Sequence, residues 1–172
     1  MLVVIAALLY ATAVTFVAAG LAAYRCGEAA QRAAEVEVAR QGLPKSILAQ
    51  HRVRIEESLV ELMLPLGIAV ILFALATLNL AVPDIGRTAT WIVQPILLLA
   101  GGFITGSQVF VVRMMEAAFR RSPDPAARAL DVESVMSAAT SAFPAWLRPL
   151  IVIRFVLVTL GSVVVLVWLV IG

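Results

Sequence analysis

Leu2-Val-Val-Ile-Ala-Ala-Leu-Leu-Tyr-Ala-Thr-Ala-Val-Thr-Phe-Val-Ala-Ala-Gly-Leu-Ala-Ala-Tyr24 runs without a single charged side chain. A helix rises about 1.5 Å per residue, so roughly 20 apolar residues cross a hydrocarbon core of about 30 Å. Leu2–Tyr24 meets that length, and so do Leu62–Pro83, Trp91–Val112 and Pro149–Ile171. None of the four contains an acidic residue. With 62% hydrophobic residues and a mean hydropathy of +1.02, the composition is that of a chain immersed in lipid. The expected fold is an all-α, polytopic membrane protein with four transmembrane helices.

The spans and two intervening polar segments, 25–61 and 113–148, use up all 172 residues. The sequence therefore reads as a single membrane domain over 1–172, with no length left for a separate soluble domain. A net charge of +2 is too small to suggest nucleic-acid binding. Twelve of the thirteen basic residues are Arg, and Ala and Val abound. Those residues have GC-rich codons, so the chain reads as bacterial. The first span lacks the charged start of a secretory signal and is longer than its apolar core, so it reads as a retained helix.

Charge sets the expected orientation. Arg25, Arg32, Arg40, Lys45, Arg52 and Arg54 lie between the first two spans, and Arg113, Arg120, Arg121, Arg128 and Arg148 between the last two. The short Asp84–Thr90 connection carries only Arg87. Basic residues near span ends stay cytoplasmic, which places both long segments inside and both termini outside a bacterial inner membrane. Trp91, Trp146 and Trp168 fall at span boundaries, where an indole finds apolar surroundings and a polar partner together.

The segment 25–61 is expected to form a cytoplasmic helical hairpin. Glu28–Glu35 is dense in helix formers, Gly42-Leu43-Pro44 breaks the run, and a second helix is expected from Lys45 or Ser46 into the second span. Two arms of roughly 16 residues reach about 20–25 Å. In the segment 113–148 the third helix should continue to Arg120 or Arg121 and stop at Ser122-Pro123-Asp124-Pro125. Asp124 then caps an amphipathic cytoplasmic helix with Pro125 as its first residue. Val132, Val135, Met136, Ala139 and Phe143 share its apolar face, which should pack on protein rather than lipid. Pro144 and Pro149 bracket the turn into the last span.

Arg25-Cys-Gly-Glu-Ala-Ala-Gln-Arg32 aligns with Arg113-Met-Met-Glu-Ala-Ala-Phe-Arg120. Both octets follow an outward-to-inward span, as in a parallel duplication. The plainer reading is that Ala, Glu and Arg commonly extend membrane helices.

Small residues let helices approach closely in lipid, where no hydrophobic force drives them together. Ala7, Ala11, Thr15 and Ala19 recur every four residues, and Gly102 and Gly106 form a GxxxG pair; both are helix-packing candidates. Arg154 is the only charged residue inside a span, about 7–8 Å along the helix from Pro149, so snorkelling to the inner interface is the preferred reading. Pairing of Arg154 with Gln108, Glu61 or Glu116 is the alternative, and makes Gln108 and Arg154 the candidate intramembrane polar site. An outward polar line through Gln94, Thr105 and Gln108 would instead favour a channel. His51 and Cys26 are each alone of their kind, and no nucleophile–base pair, metal-ligand spacing or cofactor motif is present. The expected function is a non-catalytic membrane subunit or scaffold without a cofactor, whose partners are the lipid bilayer and other membrane subunits or further copies. The alternative is a small homo-oligomeric channel, pore or transporter.

Overall fold

The computed structural model describes residues 2–171, which are mostly helical and contain no strands. Four helices are long and apolar enough to cross a membrane: Leu2–Arg40, Leu59–Ala81, Pro83–Val109 and Leu147–Ile171. In chain order the elements are α1 (Leu2–Arg40), α2 (Ile47–Gln50), α3 (Leu59–Ala81), α4 (Pro83–Ile96), a π-helical turn at Leu97–Gly101, α5 (Gly102–Val109), α6 (Val111–Arg120), α7 (Pro125–Arg128), α8 (Val132–Ser141), α9 (Leu147–Val156), a second π turn at Leu157–Gly161 and α10 (Ser162–Ile171). They gather into two compact units. Among the described residues one comprises 2–20, 63–109 and 148–171; the other comprises 21–62 and 110–147.

In the first unit, Ile5, Leu9, Ala13 and Phe16 of α1 pack with Ala69, Leu72, Leu75 and Ala76 of α3, Leu97 and Val158 of the two π turns, and Val165 and Leu169 of α10. Tyr10 joins α1 to α3 twice, through its hydroxyl to Thr77 Oγ1 at 2.8 Å and edge-on to the Phe73 ring. Pro95 lacks the N–H that would bond the Trp91 carbonyl, and the third span widens into its π turn directly afterwards.

One expected loop is absent. Asp84–Thr90 is the opening of α4, and only Val82 separates α4 from α3. The chemistry suits a helix start: Pro83 stands at the first helical position, and Asp84 places a negative charge in the first turn.

In the second unit, Ala30, Ala34 and Val38 of α1 form a core with Ile47 and Leu48 of α2, Phe119 of α6, Ala127 and Leu130, and Val132, Val135 and Ala139 of α8. The apolar face expected for α8 therefore packs on protein. Gly42 ends α1 as anticipated. Its φ of +76° is open to glycine, and the Gly42 N–H bonds the Ala39 carbonyl while the Leu43 N–H bonds that of Val38.

The second arm of the expected hairpin is not a helix. After the single turn of α2, Arg52 adopts φ +57° and the Val53 N–H bonds the Leu48 carbonyl, closing the same kind of terminus with a non-glycine residue. Residues 53–58 then run without regular structure along α1. The Ile55 N–H donates to Gln31 Oε1 at 2.9 Å, and Gly27 makes room, since a Cβ there would lie 3.2 Å from the Glu56 Cα. The amphipathic helix after Asp124 is likewise two pieces. Asp124 caps α7 through the Ala126 N–H as expected, but Asp131 caps a second start, α8. Pro149 sits inside the first turn of α9 rather than before it.

Candidate functional site

The chemistry of the first unit is concentrated on one face of the third span. Gly86, Thr90, Gln94, Leu97, Gly101 and Thr105 are its buried residues, spaced by three or four positions down a single line. At one end Gly86 lets α3 come very close: a Cβ on it would stand 2.6 Å from the Asn79 Cα and N. Just below, Asn79 Nδ2 donates to the Leu75 carbonyl and to Thr90 Oγ1, both at 2.8 Å. The Thr90 hydroxyl in turn donates to the Gly86 carbonyl at 2.7 Å. One turn further, Gln94 Nε2 reaches Ser162 Oγ of the fourth span at 2.9 Å. Arg87 closes this end by donating to the Leu169 carbonyl at 2.9 Å.

At the other end, Arg154 donates to Gln108, its guanidinium lies 5.1 Å from the centre of the Phe16 ring, and the residue is 4% exposed. Burial among neighbouring helices replaces snorkelling, and of the three partners considered the structure selects Gln108. The aromatic face and the amide together soften the desolvation of the charge. Gln94 and Thr105 face inward, so the outward polar line considered for the third span is not formed.

The two small-residue stripes behave differently. Gly101, Gly102 and Gly106 pack on the fourth span, where Cβ atoms would meet Val158 Cγ1 at 3.1 Å, Thr159 Cγ2 at 3.5 Å and Phe155 Cε2 at 3.3 Å. On α1, Ala7 and Ala11 are exposed while Thr15 and Ala19 are buried. A four-residue spacing drifts around a helix of 3.6 residues per turn by about 40° each step, or about 120° from Ala7 to Ala19. The stripe therefore rotates from the outer face to the inner one, and Ile5, Leu9 and Phe16 supply the packing face.

In the second unit the ionic groups are spent on helix ends and helix surfaces. Glu28–Arg32 and Glu116–Arg120 are i,i+4 ion pairs, so the two aligned octets share this pairing. Their burial differs, with Ala30 in the core and Ala118 exposed. Gln41 and Asp131 exchange two hydrogen bonds, Asp131 N–H to Gln41 Oε1 at 2.9 Å and Gln41 Nε2 to the Asp131 carbonyl at 3.3 Å. The hydroxyl and backbone N–H of Ser134 hold the Asp131 carboxyl below its ordinary range, and Arg40 and Gln41 do the same for Glu37. His51 stands 3.6 Å from Asp124 and 5.0 Å from the Phe119 ring, in the turn after α2 rather than on a helix. Among the described residues no three His, Cys, Asp or Glu side chains converge as metal ligands would.

In the sequence Asn79 and Ser162 stand out only as polar residues within spans, and nothing there marks Thr90, Gly86 or Gly27 as contact residues. Gly86 and Thr90 lay in the assumed loop. Thr90-x-x-x-Gln94 with Gly86 one turn before is nonetheless a polar helical line, and was the signal available. Comparison with protein-family models, curated proteins and solved structures finds no match to this chain.

Proposed function

We propose that this chain is a non-catalytic multi-pass membrane subunit or scaffold, resident in a bacterial inner membrane with both termini outside and the second unit in the cytoplasm. One observation carries this reading. The buried polar side chains of the first unit bond to helix backbone or to a neighbouring helix: Thr12 to the Leu8 carbonyl, Thr15 to Thr12, Asn79 to Thr90, Gln94 to Ser162, Thr105 to Gly101 and Arg154 to Gln108. The three that cross between helices, Asn79–Thr90, Gln94–Ser162 and Arg154–Gln108, act as glue, each worth about 0.6–2 kcal/mol, while the three threonines bond carbonyls of their own helices. A conduction path needs such atoms turned toward a permeant species.

Partner binding falls to surfaces left outside these contacts. On α1, Arg25, Ala29, Arg32, Val36 and Arg40 form an exposed line beside the second core, and Val36 is 62% exposed. A protein partner laid along this line would cover Val36 and meet the basic residues.

Reconstitution into liposomes tests the reading. The pure protein is expected to give no specific ion flux. A flux abolished by Gln108→Leu or Arg154→Gln would replace the scaffold by a channel or transporter. In native-detergent purification, Val36→Glu should leave membrane insertion intact and remove the co-purifying subunit.

A further inference from the structure

The second, third and fourth spans enclose two amides whose hydrogen bonding is incomplete. Asn79 is fully buried and Gln94 is 2% exposed, yet Asn79 Oδ1 and Gln94 Oε1 have no partner among the described residues. The orientation of Asn79 is fixed by its surroundings. The Leu75 carbonyl can only accept, so it must face Nδ2; Thr90 spends its proton on the Gly86 carbonyl and therefore accepts from Nδ2 as well. Oδ1 is thus a buried acceptor with nothing to accept. Gln94 has two orientations, because the Ser162 hydroxyl can accept from Nε2 or donate to Oε1. One Gln94 amide atom remains over in either case.

Both amides lie against the same buried line of the third span. Asn79 bonds Thr90, and Gln94 lies one turn beyond Thr90 on the same inward face. Helical side chains lean toward the preceding turn, which brings the Gln94 amide back toward Asn79. One turn is about 5.4 Å, close to the span of two hydrogen bonds made by a single molecule.

We infer that a water molecule is bound between Asn79 and Gln94, donating to Asn79 Oδ1 and completing the Gln94 amide. An interior site with room for one molecule and two or more polar partners retains water, whereas an apolar one stays dry. A hard metal cation suits the site poorly, since it calls for six or more oxygen ligands and Gln94 offers nitrogen in one of its orientations. Water can donate or accept, and so satisfies Gln94 in both.

Asn79 is the only asparagine in the chain, so asparagine-selective 15N labelling yields one side-chain amide signal. In the full-length protein in lipid nanodiscs, magnetisation should pass from water to the Asn79 Nδ2 protons, which are themselves turned onto Leu75 and Thr90. Gln94→Met removes the second anchor and should weaken the transfer severalfold. A resolved Asn79 signal with no transfer means a dry site and overturns the inference. So does a transfer that Gln94→Met leaves unchanged, since that is leakage rather than a bridged water. A signal that appears only on adding sodium would assign the site to a cation instead. If Gln94→Met does not fold, the infrared carbonyl band of 13C-labelled Asn79 decides in the parent protein. A band at the position of a hydrogen-bonded amide carbonyl supports bound water; a band of an unbonded carbonyl overturns it.

Discussion

Gly86 and Arg52 show how much a single backbone position decides. A methyl at Gly86 would overlap the α3 backbone at Asn79, and backbone cannot swing aside as a side chain can. Gly86→Ala should therefore cost about 1–3 kcal/mol, the range of an overpacked core, and lower thermal stability in detergent. Gly102→Ala, whose Cβ would make ordinary contact with Thr159, should be nearly silent in the same assay. Arg52 is the opposite case, a non-glycine residue held in the left-handed region at a helix end. That conformation costs an L-residue about 1–2 kcal/mol, part of which glycine returns as chain entropy. Arg52→Gly should stabilise the second unit by about 0.5–1 kcal/mol in denaturant titration, and a loss of stability would show that the Arg52 side chain matters more than its backbone.

Asp131 brings pH into the same unit. Its carboxyl is lowered in the folded state, so its contribution is present above the unfolded value of about 3.9 and is lost as pH falls through the folded one. Amide protection in α8 should fall below about pH 4. Asp131→Asn keeps a capping side chain and should flatten that dependence; an unchanged profile would assign it to other carboxylates, Glu37 first.

At the scale of elements, the contact between the third and fourth spans is a seam of glycines, and its test is size. Gly102→Leu with Gly106→Leu drives branched side chains into Thr159 and Phe155, and should separate the helices and lower the melting temperature. Retained stability would mean that the two spans hold together without this seam. The extended run after Arg52 depends on α1 in a similar way. Gly27→Val would push the Glu56 backbone from its place and release the Ile55–Gln31 hydrogen bond, which faster hydrogen exchange at Ile55 would report. Helix propensity alone favours a helix through 45–58, and packing over Gly27 overrides it.

For the whole molecule, the decisive measurement is orientation. On a Cys26→Ser background, Asp84→Cys should react with an impermeant reagent from outside and Pro123→Cys should not; both positions are exposed. The reverse pattern would invert the proposed topology, in which the arginine-rich segments stay inside. Deleting 34–53 is a poor probe of partner binding, since it removes Ala34, Val38, Ile47 and Leu48 from the second core. Val36→Glu changes only an exposed position.

The four apolar helices, the stop at Gly42 and the cap at Asp124 were legible in the sequence because each rests on local chemistry: a run of apolar side chains, a residue free to take positive φ, a carboxylate ahead of proline. Their ends were less legible, because hydropathy does not separate a polar helical turn from a loop, and Asp84–Thr90 was lost that way. What only the tertiary structure decided concerns residues that meet across the chain. Arg154 stays buried because Gln108 and Phe16 are brought to it, and Asn79 finds Thr90 because Gly86 admits α3. Residues 53–58 are extended because α1 offers them Gly27 and Gln31. Periodicity tells which face a residue is on, but the cost of burying a charge or an amide depends on what the opposite helix presents to it.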